Sequence, residues 1–182
     1  GFTTLTDGVE IGGKIFTDVN QTLALGGLTY GVTPYEMNAA YASIANLGGY
    51  IEPKLYTRVL DPDGNVILDN TNPVAKQVLK ETTAFLLTDA MIDVITGAGG
   101  TASSVNFDRS MPMAGKTGTT TNDNDVWFVG FTPYYTCTVW TGYDNNIAMK
   151  NSEEKALSRG LWRAIMKRIH ENLAPQPFAT PK

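Results

Sequence analysis

After Met113 the chain leaves the helical period and runs through three strand-like segments in direct succession, Ala114 to Thr119, Val126 to Phe131 and Tyr135 to Tyr143. Links as short as Asn122-Asp123-Asn124 and Thr132-Pro133 leave no room for a crossover helix, so neighbouring segments are expected to pair antiparallel. Behind them, from Ser152 to about Leu173, apolar residues Leu157, Leu161, Trp162, Ile165, Ile169 and Leu173 recur at helical spacing and form a stripe that must cover a sheet or another helix. The pattern predicts an α/β arrangement of the α+β type, three antiparallel strands with flanking helices.

Helical period dominates upstream. Thr33 is placed to cap a helix from Val32 to about Leu47, with Pro34 in its first turn and Glu36 at the capping-box position. Val32 and Met37 have the spacing of a hydrophobic staple. Met37, Ala40, Tyr41 and Ile44 fall on one face, and Gly48-Gly49 ends the helix. A hairpin is expected next, Leu55 to Leu60 against Val66 to Leu68, turning at Asp61-Pro62-Asp63-Gly64-Asn65. A second helix is predicted from Glu81 to Ile95, with Phe85, Leu86, Ala90, Met91 and Val94 apolar. Its end, Gly97-Ala98-Gly99-Gly100, is not a dinucleotide loop, because Ala102 stands where the third glycine belongs and a helix precedes it. No repeat or interdomain linker interrupts the chain, so residues 1–173 read as one structural piece and residues 174–182, with three prolines, as a flexible tail.

Composition narrows the function classes. A chain of 182 residues, 42% hydrophobic with 18 glycines and 9 prolines, suits one globular core. Net charge is -4 and the basic residues are scattered apart from Arg163, Lys167 and Arg168, which argues against a nucleic-acid partner. No run has the apolar length to cross a bilayer, and Gly1 to Leu5 lacks the basic start and apolar segment of a signal peptide, so an anchor or export signal is expected on sequence outside these residues. Cys137, the single cysteine, reads as a small apolar strand residue without partners for zinc. His170 reads as a surface residue of the last helix, and Trp127 and Trp140 as core packing.

One segment carries chemistry: Met113-Ala114-Gly115-Lys116-Thr117-Gly118-Thr119-Thr120, followed by Trp127-Phe128-Val129-Gly130-Phe131. A phosphate-binding loop is excluded, since Ser110 stands where its first glycine should be and the run leads into a strand, not a helix. On a strand, Lys116 and Gly118 lie on one face, Thr117 and Thr119 on the other. Such a strand at a cleft edge can offer its backbone to an extended peptide, its hydroxyls to a carboxylate and its lysine to a nucleophile. Spacing alone equally allows a surface hairpin with an exposed lysine.

The run resembles the lysine-threonine-glycine motif of serine acyl-transferases that react with penicillin. The longer pattern is similar to the transpeptidase domain of class A penicillin-binding proteins, on Leu23 to Met37, Ala39 to Ala42, Ala45-Asn46, Thr82 to Met91, Ala114 to Thr120, Trp127 to Pro133 and Trp140 to Asp144. The resemblance implies the penicillin-binding transpeptidase and serine beta-lactamase-like fold. It also implies a peptidoglycan D,D-transpeptidase in which an activated serine attacks the D-Ala-D-Ala bond of a stem peptide, at the extracytoplasmic face of the cell membrane and without metal or cofactor. By the same resemblance Lys116 and Thr119 are the catalytic residues here, and Lys116, Thr117, Gly118 and Thr119 bind substrate. Thr117 and Thr119 would hold the terminal carboxylate, Thr119 N–H would enter the oxyanion hole, and beta-lactams would be attacked by the same serine.

The family's serine-x-x-lysine and serine-x-asparagine motifs should lie well upstream of Lys116. Ser152-Glu153-Glu154-Lys155 lies downstream, at the expected start of the last helix, and Ser104-Val105-Asn106 is only ten residues before Lys116. Both read as coincidences. The nucleophile is therefore expected on an N-terminal fragment of the same transpeptidase, and the isolated chain is expected to be inactive. A D,D-carboxypeptidase, a beta-lactamase or a noncatalytic cell-wall-binding module on the same fold remain alternatives.

Overall fold

The computed structural model describes residues 1–182. The chain runs β1 (Val9–Ile11), β2 (Lys14–Phe16), α1 (Pro34–Ala45), β3 (Gly49–Tyr50), β4 (Arg58–Leu60), β5 (Val66–Asp69), β6 (Lys76–Gln77), α2 (Glu81–Thr96), β7 (Ala114–Thr119), β8 (Asp125–Phe131), β9 (Thr136–Gly142) and α3 (Ser152–Ile169). The expected three-stranded antiparallel sheet forms in the order β7-β8-β9, with Lys116 opposite Val129 and Val129 opposite Thr138. Short antiparallel pairs β1-β2, β3-β6 and β4-β5 stand apart from it. No helix is long and apolar enough to cross a membrane.

Helices cover both faces of this sheet. On one face Phe128 packs with Trp162 and Met166 of α3, Ile95 of α2, and Ala102, Val105, Met111 and Met113 of the chain between α2 and β7. Gly115 and Gly130, opposite one another, make room for those rings. A Cβ on Gly130 would lie 2.9 Å from both Phe128 and Trp162, so the edge-to-face contact of these rings at 5.1 Å requires glycine there. On the other face Ala114 and Phe131 pack with Met91 of α2 and Tyr41, Ile44 and Ala45 of α1.

Helix starts follow local chemistry. Thr33 Oγ1 accepts from Glu36 N–H, and Glu36 reaches back to Thr33 N–H, the expected capping box. Asn151 Oδ1 accepts from Glu154 N–H at 2.9 Å, while Glu153 and Glu154 in the first turn and Lys167 and Arg168 in the last complement the dipole of α3.

The buried faces match the expected ones only in part, through Tyr41 and Ile44 of α1, Met91 of α2 and Trp162 of α3. In α1 the buried residues are Ala39 and Ser43, although Tyr41 and Ile44 do pack on the core. In α2 they are Ala84, Thr88, Met91 and Ile95, and Leu86 is 65% exposed. Thr88 can turn inward because its hydroxyl donates to Ala84 O within the helix, which satisfies the polar group that burial would strand. In α3, Ser158, Trp162 and Met166 are buried, whereas Leu157, Leu161, Ile165 and Ile169 form a half-exposed ridge.

His170 is also buried, contrary to its reading as a surface residue. Just past the end of α3, it bonds Thr132 Oγ1 through Nε2 at 2.8 Å and Met166 O through Nδ1 at 2.7 Å. The helix is shorter than expected: past His170 the i to i−4 pattern gives way to tighter i to i−3 bonds, from Glu171 N–H to Arg168 O and from Leu173 N–H to His170 O. Residues 174–182 form no helix or strand; Phe178 stacks edge-on against Phe131 at 5.5 Å, and Tyr134 donates to Ala174 O at 2.7 Å.

Candidate functional site

Lys116-Thr117-Gly118-Thr119 lies within β7, which pairs with β8 on one side only. The direction of its backbone follows from the turn. Thr120 N–H donates to Asp125 O at 3.1 Å, so Thr120 faces β8 and, by strand alternation, Thr117 and Thr119 turn their N–H and C=O groups to the unpaired edge. Lys116 is exposed, and its ammonium donates to Thr117 O at 2.8 Å, on that same edge.

Side chains split as the period of two requires. Lys116 and Gly118 share a face with Val129 and Trp127, and α1 covers this face as far as Thr138, whose hydroxyl donates to Asn38 Oδ1 at 3.1 Å. Beyond that point the sheet is open. Trp127 and Trp140 were expected in the core, but they sit on this open stretch with Trp140 36% exposed, its Nε1–H donating to Asp125 Oδ1 at 2.9 Å. An added Cβ on Gly118 would meet the Trp127 Cβ at 3.3 Å, so glycine keeps this face low beside the edge. Thr117, on the opposite face with Phe128, has its hydroxyl 2.9 Å from that of Thr101. Thr101 was not singled out from sequence; the only signal was its place directly after the glycine group that ends α2.

The turn after β7 is held firmly. Asn122 and Asp123 adopt positive φ, a conformation that their short polar side chains tolerate. Thr120 and Asp125 bond each other through side chain and backbone, and Lys155 of α3 bonds Asp123 at 2.5 Å. This occupies the lysine of the downstream serine-x-x-lysine match, whose Ser152 merely opens α3. In the other match, Ser104 and Val105 belong to a single 3-10 turn with Val105 fully buried in the core. Cys137 packs against that core too, and burial pushes its thiol up. A groove of about 710 Å³ lies elsewhere, between Phe2, Tyr35, Ala39 and Val78.

The family model for the penicillin binding protein transpeptidase domain matches residues 3–167. The chain belongs to this transpeptidase family. Penicillin-binding protein 1A of Clostridium botulinum is 40% identical over 161 residues, covering 88% of this chain and 19% of that protein. Penicillin-binding protein 2D of Bacillus subtilis is 37% identical over 166 residues, 88% of this chain and 23% of that protein. Among solved structures, the penicillin-binding protein PonA1 of Mycobacterium tuberculosis superposes with a TM-score of 0.77 at 26% identity, over 90% of this chain and 44% of that one. This transpeptidase segment is thus class A penicillin-binding-protein-like, has the expected fold, and spans about a fifth of the length of the curated relatives it matches.

Proposed function

We propose that this chain supplies the substrate-binding strand of a peptidoglycan D,D-transpeptidase. The observation that carries the reading is the free edge of β7, where Thr119 N–H and Thr117 C=O face outward beside the exposed Lys116. An extended stem peptide can add to such an edge as a further strand. The hydroxyls of Thr117 and Thr119 bind its terminal carboxylate, assisted by the Lys116 ammonium, and Thr119 N–H donates to the oxyanion that forms as the serine attacks. That serine Oγ bonds to the carbonyl carbon, D-alanine leaves with the proton, and an acceptor amine from a second stem peptide displaces the serine to form the cross-link. Beta-lactams enter as analogues of the peptide; the Mycobacterium tuberculosis relative PonA1 has been solved in complex with penicillin V.

The serine and its lysine base come from the N-terminal part of the same transpeptidase domain, on the extracytoplasmic face of the membrane. In the complete transpeptidase, Lys116→Ala lowers the rate of labelling by fluorescent penicillin by about a hundredfold, the scale of losing one electrostatic stabiliser. Unchanged labelling of that variant, or covalent labelling of residues 1–182 alone, would sink the reading.

A further inference from the structure

The hydroxyl of Thr101 is held where it can act on Thr117. The loop that bears it folds back onto the end of α2: Gly97 N–H donates to Asp93 O at 2.9 Å, Gly100 N–H to Gly97 O at 2.9 Å, and Ala102 N–H to Val94 O at 3.0 Å. A Cβ on Gly100 would stand 2.5 Å from Val94 O and 2.7 Å from Asp93 O, so only glycine lets the loop lie this close. On the other side Ala102 is fully buried in the core beside Met113 and Phe128. Thr101 is thus fixed by both neighbours, and its Oγ1 spans to β7 at 2.9 Å from Thr117 Oγ1.

A threonine hydroxyl donates one proton and accepts at two lone pairs. Between the two threonines only one proton is shared, so one hydroxyl keeps its proton for a third group. A carboxylate is a stronger acceptor than a hydroxyl, so on its arrival the Thr117 proton goes to the anion and Thr101 donates to Thr117. Donation into Thr117 also polarises its O–H and fixes the rotamer that aims it. We infer that Thr101 is a positioning residue, its hydroxyl orienting Thr117 Oγ1 toward the terminal carboxylate of the substrate. This rests on the proposed carboxylate-binding role of Lys116 to Thr119.

The test is the second-order acylation rate of the complete transpeptidase with benzylpenicillin and with its methyl ester, which lacks the anionic carboxylate. Thr101→Val is expected to slow acylation by benzylpenicillin about tenfold, the effect of one lost hydrogen bond, and by the ester less than about twofold. Thr101→Ser should restore the parent rate, and Thr101→Val should add nothing in a Thr117→Val background. Thermal unfolding is followed in parallel, and Thr101→Ala carries the same expectation should the valine variant not fold. A Thr101→Val rate equal to the parent's, or equal losses with both probes, overturns the inference while leaving the role of Lys116 to Thr119 standing. A parent enzyme that acylates with both probes equally overturns the carboxylate reading itself, and this inference with it.

Discussion

The β8-β9 hairpin and the β4-β5 hairpin are both antiparallel, both joined by short turns and both rich in apolar side chains. In β8, Val126, Phe128, Val129 and Phe131 are all buried; in β5, Val66, Ile67 and Leu68 are all exposed, Ile67 at 60%. Turn chemistry serves the two equally well. Asp61 alone accepts from Asp63 N–H, Asn65 N–H and the Asn65 amide in the outer turn, and Thr132 Oγ1 accepts from Tyr134 N–H and Tyr135 N–H in the turn between β8 and β9. What separates them is cover: α1, α2 and α3 lie on the sheet, whereas the core clusters include no residue of β4 or β5. Apolar content makes a strand eligible for burial, and only helices brought from distant parts of the chain accomplish it.

Truncation should expose that contrast most sharply. Trp162→Ala removes the ring that fills the space over Gly130 and should cost about 3–5 kcal/mol in denaturant unfolding, whereas Ile67→Ala should cost no more than about 0.5 kcal/mol. Equal costs would break the comparison. A smaller effect is expected at the end of the covered hairpin, where Thr132→Val leaves buried His170 Nε2 without its partner and should cost about 1–3 kcal/mol by the same measurement.

The mildest effect concerns the start of α1, the helix that covers β8 and β9. Glu36 is held at about 2, below its ordinary 4.5, first by the Thr3 hydroxyl, then by the Thr3 and Thr33 N–H groups and the Thr33 hydroxyl. A lowered folded-state pKa gives a contribution that is complete above about pH 4.5 and lost as pH falls through about 2. Glu36→Gln should therefore flatten the dependence of unfolding free energy on pH across that window. An unchanged slope would show that this cap does not couple helix and sheet to acid.

The sheet, its antiparallel order and the capping box at Thr33 were legible because each depends on neighbours within a few residues. The family was legible because several ordered segments match, not because of Lys116 to Thr119 alone. Which side of α2 or α3 faces inward was legible only in part. The stripes include Met91 and Trp162, which are buried, but also Leu86, Leu157 and Ile165, which are exposed, while Ala84, Thr88 and Ser158 turn inward because small side chains allow helix and sheet to approach closely. Trp140 misled in the other direction, its indole N–H having a carboxylate partner at the open end of the sheet.

Within Lys116 to Thr119, sequence alone determined the alternation of side chains, which the pleat imposes on any strand. Tertiary structure decided that β7 is an edge, that Thr117 and Thr119 turn their backbone groups to its open side, and that Thr101 meets Thr117. Edge position depends on which strands find partners, and the hydroxyl contact depends on a loop sixteen residues away being folded back against α2. Neither is a local property of the chain.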